Sequence, residues 1–189
     1  MKVLAIIAHP KLEGSRLHRP WAEALEMSAN VSVRPLYKFY PNWKVDVASE
    51  QQALTIHDRI VLQFPFYLYG CPPLLKKWLD DVLAFRWAYG PGGSALHGKE
   101  LLIATSTGGP AESYQPGGYH KYTVDELLIP FRQIANLVGA RYLRPYIFHR
   151  ARSVSESEIT ASAADYARYV LGERIETDTG RGRTLPPSR

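Results

Sequence analysis

MKVLAIIAHPKLEGSRLHR, Met1 to Arg19, is the stretch on which the fold turns. Val3 to Ala8 is an unbroken apolar run, the pattern of a strand buried on both faces. The run stops at His9-Pro10, passes through a loop holding Gly14, and reaches Ser15 at a position suited to capping a helix. Lys11, Arg16, His18 and Arg19 crowd the same turn. A first strand that runs into a basic, Ser-capped loop opening a helix is where an α/β sheet holds a phosphate. The free amides and dipole of the helix start favour the anion, and the cations complete its neutralisation.

Outward from that anchor, strands and helices alternate. Helical spacing over Leu17 to Ser28 puts Leu17, Trp21, Ala24, Leu25 and Met27 on one face. Pro20 falls in the first turn, where a missing donor does little harm. Val31 to Leu36 reads as a second strand, Tyr37 to Val47 as an aromatic surface loop, and Ala48 to His57 as a helix. Arg59 to Phe64 is a third, fully apolar strand, and Pro72 to Ala84 is a helix started by two prolines. Trp87 to Gly98 is a Gly/Pro-rich excursion, followed by a strand over Glu100 to Ser106 and a polar loop over Thr107 to Tyr122. A helix is expected over Val124 to Val138 with Gly139 as its stop, then a strand over Arg141 to His149. Ser155 and Glu158 form a capping box opening a last helix that ends near Leu171. Five strands alternating with helices predict an α/β flavodoxin-like three-layer sandwich with a five-stranded parallel sheet in the order 2-1-3-4-5. One domain is expected over residues 1–172, with a disordered tail over 173–189.

Composition narrows the function classes. The 46% hydrophobic and 22% charged fractions of the 189 residues are those of a globular domain, and no run approaches the ~20 apolar residues of a membrane span. A lone Lys2 before a short apolar run is not a signal peptide, and the single cysteine, Cys71, fits a reducing compartment. A cytoplasmic protein is expected, with the inner membrane surface as a second possible address. The net charge of +5 is scattered and without a nucleic-acid-binding motif, so the partner expected is a small anion rather than nucleic acid. His57, His97 and His149 are dispersed without ligand spacing, which predicts no metal site.

In such sheets ligands lie beyond the carboxyl ends of the strands, where strand order reverses, so the loops after strands one, three and four matter. The first lacks the glycines of a dinucleotide fingerprint and the Gly-Lys-Ser/Thr of a P-loop, and therefore suits a monophosphate. The second, Phe64-Pro-Phe-Tyr-Leu-Tyr-Gly-Cys-Pro-Pro73, offers Phe66, Tyr67 and Leu68 as a wall for a flat heterocycle. The third, Thr105-Ser-Thr-Gly-Gly109, lets backbone approach a ligand that side chains would block. Phosphate end, flat-ring wall and glycine floor together describe a flavin mononucleotide site.

Several motifs, in register from residue 2 to about 172, resemble the NAD(P)H:quinone oxidoreductase family related to DT-diaphorase. They are Ala8-His9-Pro10 with Ser15, Gln63 to Lys76, Trp87-Ala-Tyr-Gly90, Ala95-Leu-His-Gly-Lys99 and Ser106-Thr-Gly-Gly109. The likeness is greatest to small bacterial members, which include ancillary flavoproteins of glutathione-regulated potassium efflux and general-stress reductases. The resemblance implies a homodimer holding FMN, with FAD the less favoured alternative. By position, His9, Ser15, Arg16, Leu17 and His18 would hold the phosphate end, although the family usually has Asn where His18 stands. Pro65, Phe66, Tyr67, Leu68 and Tyr69 would line the ring, and Ser106, Thr107, Gly108 and Gly109 would meet its pyrimidine edge. Tyr114 and His120 match the catalytic Tyr and His that face the flavin.

The chemistry so implied is a two-electron, ping-pong reduction of a quinone or similar acceptor by NADPH or NADH. Donors at the N1/C2-oxygen edge would stabilise reduced flavin, with the Tyr114 hydroxyl and His120 as proton partners. Two other classes compete. One is a regulatory subunit of a membrane potassium-efflux protein, and the other is a one-electron carrier like flavodoxin, which a stable semiquinone would reveal.

Overall fold

A computed structural model describes residues 1–173 of the chain. The tail expected over 173–189 falls outside the described residues from position 174 onward. Strand β1 is Val3–Ile7, followed by helix α1 (His18–Glu26), β2 (Val31–Pro35), a short turn of helix α2 (Leu36–Phe39) and α3 (Val47–Ile56). Then come β3 (Arg59–Pro65), α4 (Pro73–Val82), β4 (Glu100–Ser106), α5 (Val124–Leu127), α6 (Ile129–Leu137), β5 (Arg141–Tyr142), β6 (Tyr146–Phe148) and α7 (Glu156–Leu171). All pairings are parallel, in the order β2-β1-β3-β4-β5, with β6 also on β4.

Every residue of β1 and β3 is buried, as strands covered on both faces require, although Arg59 and Gln63 interrupt the apolar run expected of β3. Alternate residues serve opposite layers. Leu4, Ile6, Leu62 and Phe64 meet α3, α4 and α6, whereas Val3, Ala5, Val61 and Leu102 meet α1 and α7. Trp21 joins the second layer by stacking on Tyr166 at 4.8 Å and donating its Nε1–H to Ser162 Oγ at 3.0 Å. In the first layer, the fully buried Glu50 carboxylate accepts from Arg34 (3.0 and 2.6 Å), Tyr40 (2.5 Å) and Trp78 (3.0 Å). That hub ties the aromatic segment after β2 to the core, and the segment begins as helix α2 rather than as the loop expected over Tyr37 to Val47.

Three further expectations need correction, each for a local reason. Met27 is 87% exposed just beyond the end of α1, and Ala22 takes a place on the apolar face instead. The helix expected over 124–138 is two pieces meeting at Leu128, because Pro130 has no N–H to give the Glu126 carbonyl. The last strand is likewise split. Its register slips from Leu101↔Tyr142 to Ala104↔Tyr146, so one extra residue bulges out beside Pro145 and the sheet has six strands rather than five. The two glycine and capping signals fare as read. Gly139 (φ +68°) follows α6, and Ser155 and Glu158 form the reciprocal cap of α7.

The register also sets the site. At the carboxyl edge Ile7 lies beside Gln63, Pro65 beside Ser106, and Ser106 beside Phe148. The loops after β1, β3, β4 and β6 therefore emerge side by side.

Candidate functional site at the carboxyl edge of the sheet

Each of the three loops singled out from the sequence presents a pair of backbone N–H groups with no acceptor among the described residues. In the first, Ser15 Oγ accepts from the His18 amide at 3.0 Å, which bends the chain so that the Arg16 and Leu17 amides are left free. In the second, Tyr67 and Gly70 exchange backbone bonds (3.1 and 2.9 Å) around Leu68 and Tyr69, whose amides are free. Both central residues are left-handed, at φ 43° and 66°, in a turn whose usual occupants are Asn-Gly. In the third, Thr107 donates to the Phe148 carbonyl, and the next amides, Gly108 and Gly109, are free. Unpaired amides at a solvent-facing loop edge are open to a ligand rich in acceptor atoms.

The loops are braced against one another. Phe66 donates to the Ser106 carbonyl at 3.0 Å, Ala8 to the Gln63 carbonyl at 2.8 Å, and Gln63 Nε2 to the His18 carbonyl at 2.9 Å. Gln63 is fully buried, and its Oε1 has no partner within the described residues.

The side chains of the first loop depart from expectation. His9 is half-buried, accepts the Lys11 amide on Nδ1 (3.1 Å), and has its pKa lowered by burial. It borders a cleft of about 660 Å³ that Lys11, Arg19 and Lys38 also line. His18 was expected to offer its imidazole to a phosphate, but it turns inward, 2% exposed, with Nε2 at 2.8 Å from Ser106 Oγ. Burial, with His9 nearby, pushes its pKa down to about 3, so it is a neutral brace between loops one and three. Leu17 is a core residue that has only its amide to offer. Arg16 is held by Glu156 (2.5 Å) and the Val154 carbonyl (3.2 Å), at the start of α7.

Around the second and third loops the expected residues do come together. Pro65 ends β3 in the interior, Phe66 is half-buried, and Tyr67, Leu68 and Tyr69 form an exposed lip, Leu68 being 95% exposed. Ser106 and Thr107 are buried, and Gly108 is open to solvent. Tyr114 lies face to face with His120, 4.1 Å between centroids at 16°, and the Tyr69 hydroxyl meets His120 Nδ1 at 3.1 Å. A Cβ on Gly109 would stand 3.5 Å from the Tyr114 ring and 3.6 Å from His120 Nε2, so the pair rests on the glycine floor. Burial raises the Tyr114 pKa, which keeps the phenol protonated and able to donate.

Two neighbours escaped the sequence reading. His149 meets Thr107 Oγ1 through Nδ1 at 2.9 Å and lies 5.8 Å from the Tyr114 ring, with its pKa lowered by burial. Arg152 lies against Gly108. Their only advance signal was their place just after the last strand, because the β4–β6 register brings Phe148 beside Ser106.

A family model described as a flavodoxin-like fold matches residues 1–170. General stress protein 14 of Bacillus subtilis is 49% identical over 170 residues, covering 90% of this chain and 97% of that one. The glutathione-regulated potassium-efflux system ancillary protein KefG of Pectobacterium carotovorum is 38% identical, covering 94% and 97% respectively. Among solved structures, general stress protein 14 of Treponema denticola in complex with FMN is 40% identical with a TM-score of 0.88, covering 92% and 100%. An NADPH-quinone reductase from P. pentosaceus is 35% identical with a TM-score of 0.82, covering 90% and 98%.

Proposed function

The chain belongs to the flavodoxin-like fold family Flavodoxin_2, and from that premise we propose that it is an FMN-dependent NAD(P)H oxidoreductase whose acceptors are quinones and similar compounds. The observation that carries the reading is the set of three free amide pairs, at Arg16-Leu17, Leu68-Tyr69 and Gly108-Gly109, on adjoining loops. Their spread suits a ligand with an anionic phosphate at one end and a flat, acceptor-rimmed ring at the other. The residues present fit FMN on that count. The basic turn with Ser15 stands at one end and the Phe66 to Tyr69 wall and glycine floor at the other, with Arg152 beside Gly108 and the Tyr114–His120 pair beside Gly109. The similar structures of general stress protein 14 in complex with FMN and of an NADPH-quinone reductase support the same choice.

FMN, when bound, would supply two-electron (hydride) chemistry between a nicotinamide donor and an acceptor. The chain's own residues bind, orient and move protons. The Arg16 and Leu17 amides with Ser15 hold the phosphate, and the Leu68 and Tyr69 amides with Phe66 hold the ring. The Gly108 and Gly109 amides would serve its oxygen-bearing edge. Tyr114 donates a hydrogen bond from its hydroxyl, and His120, fixed by stacking and by Tyr69, is the proton exchanger toward the acceptor. Exposed Phe85 (57%) and Tyr69 (50%) would be covered in a homodimer.

The test is direct. Purified protein is expected to carry FMN, identified by absorbance and chromatography, and to oxidise NADPH or NADH in the presence of menadione. Protein that neither carries nor takes up FMN refutes the assignment. The likeness to KefG supports a second role, as a partner of a membrane potassium-efflux protein. Co-purification from membranes tests it separately. Among the described residues no helix is long and apolar enough to cross a membrane.

A further inference from the structure

Three arginines surround the junction between the glycine floor and the start of α7, and they differ in their partners. Arg16 is paired with Glu156 at 2.5 Å and Arg150 with Glu158 at 3.4 Å. Arg152 has no carboxylate within salt-bridge distance among the described residues. Its side chain lies along the backbone of Gly108. A Cβ at that glycine would stand 3.6 Å from Cδ and 3.7 Å from Cζ, ordinary contacts, but 3.2 Å from Nε, which is tighter than a methyl group usually sits. Gly108 therefore gives Arg152 the room to lie flat on the floor of the site. The segment is also fixed there. Thr107 donates to the Phe148 carbonyl (2.9 Å), the Ala151 amide to the Thr107 carbonyl (2.9 Å) and the Arg150 amide to the Gly109 carbonyl (3.0 Å).

The other titratable groups at this corner bring no permanent positive charge. His149 has its pKa lowered by burial, His18 is neutral, and the Tyr114 phenol stays protonated. A guanidinium is charged at every working pH. Here one that makes no ion pair among the described residues lies next to two unpaired amides, and the one carboxylate felt at the corner, Glu112, acts on His149.

We propose that Arg152, with the Gly108 and Gly109 amides, forms an anion-stabilising corner for the N1–C2 oxygen edge of the bound flavin ring, and so sets how strongly the protein favours the reduced cofactor. This rests on the FMN reading above. With FMN bound, hydride from NAD(P)H would bring two electrons and a proton to the ring with release of NAD(P)⁺, and the one negative charge so gained would need a partner at that edge. A cation there stabilises the charged form more than the neutral one, and the solvent exposure of Arg152 and Gly108 keeps the effect modest.

The test uses the FMN-loaded full chain with Arg152→Gln, Arg152→Lys and Gly108→Ala. Two properties are read besides turnover: the two-electron midpoint potential of the bound flavin, and the dissociation constant of its sulfite adduct, which carries the same negative edge. Arg152→Gln is expected to weaken sulfite binding about tenfold and to lower the potential by the equivalent of that factor, about 30 mV for two electrons. Arg152→Lys is expected to retain part of both. Gly108→Ala, which crowds Nε and shifts the guanidinium by a few tenths of an ångström, is expected to move them slightly in the direction of Arg152→Gln. Unchanged potential and sulfite affinity in Arg152→Gln with FMN bound overturn the role of Arg152 while leaving the flavin assignment standing. Failure of the wild-type chain to bind FMN overturns both.

Discussion

The turn at Leu68-Tyr69 stores measurable strain, and Leu68→Asn is the substitution that releases it. Leu68 sits at φ 43° and its neighbour at φ 66°, a region that costs an ordinary L-residue roughly 1–2 kcal/mol and that Asn tolerates far better. Leu68 is 95% exposed, so replacing it removes almost no packing, and the backbone bonds between Tyr67 and Gly70 that close the turn are untouched. The expected gain is about 1 kcal/mol, which for a chain of this size raises Tm by roughly 2–4 °C. Calorimetry of flavin-free protein reads it. Leu68→Ala is the control. It removes the exposed apolar side chain but keeps a Cβ in the same conformation, and it is expected to leave Tm within a degree of wild type. The amides of residues 68 and 69 are presented equally in both variants, so FMN affinity by fluorescence quenching is expected to stay within about twofold. A Leu68→Asn variant no more stable than Leu68→Ala would refute the claim that this turn is held against its own preference.

Three other outcomes follow from the same geometry. His18 titrates near 6.5 unfolded and near 3 folded, so its contribution is full above pH 6.5 and is lost as pH falls below it. From pH 7 to pH 5 wild type is expected to lose about 2 kcal/mol more, by urea unfolding, than His18→Asn does, and parallel losses would contradict a buried neutral imidazole. Glu50→Gln leaves Arg34 without its carboxylate in a partly buried site and is expected to cost about 3 kcal/mol, seen as a fall in Tm of roughly 6–12 °C, whereas a change under 1 kcal/mol would show the hub to be dispensable. Tyr114→Phe keeps the stack on His120 but removes the hydroxyl. Quinone-dependent kcat is expected to drop by roughly a hundredfold with FMN content unchanged, and retention of full kcat would remove Tyr114 from the proton path.

What could be read in advance followed the range of the interaction involved. The strands at Val3–Ile7, Arg59–Pro65 and Glu100–Ser106 are legible because burial on both faces demands apolar stretches such as Val3 to Ile7, Ile60 to Leu62 and Leu101 to Ala104. Strand order and the three loops at the carboxyl edge follow from that alternation. Pro130 and Pro145 were harder, since a proline can sit in the first turn of a new helix or on an edge strand and so breaks an element without abolishing it. The inward turn of His18 depends on Ser106, 88 positions away, and the nearness of His149 and Arg152 to Gly108 depends on the β4–β6 register. The left-handed turn was hidden for a different reason. Leu-Tyr carries none of the Asn or Gly that ordinarily announce such a conformation.

The interruption of the last strand has a consequence away from the ligand. A sheet of parallel strands ends in two margins whose unpaired amides invite a neighbouring molecule to add a strand and extend the ladder into an aggregate. Here both margins are poor templates. β2 closes with Pro35, and the opposite margin is cut into pieces of two and three residues by a bulge and Pro145. A proline at each border denies an incoming strand a continuous row of donors. The same irregularity that splits β5 from β6 thus lets the molecule be concentrated without its sheets joining edge to edge.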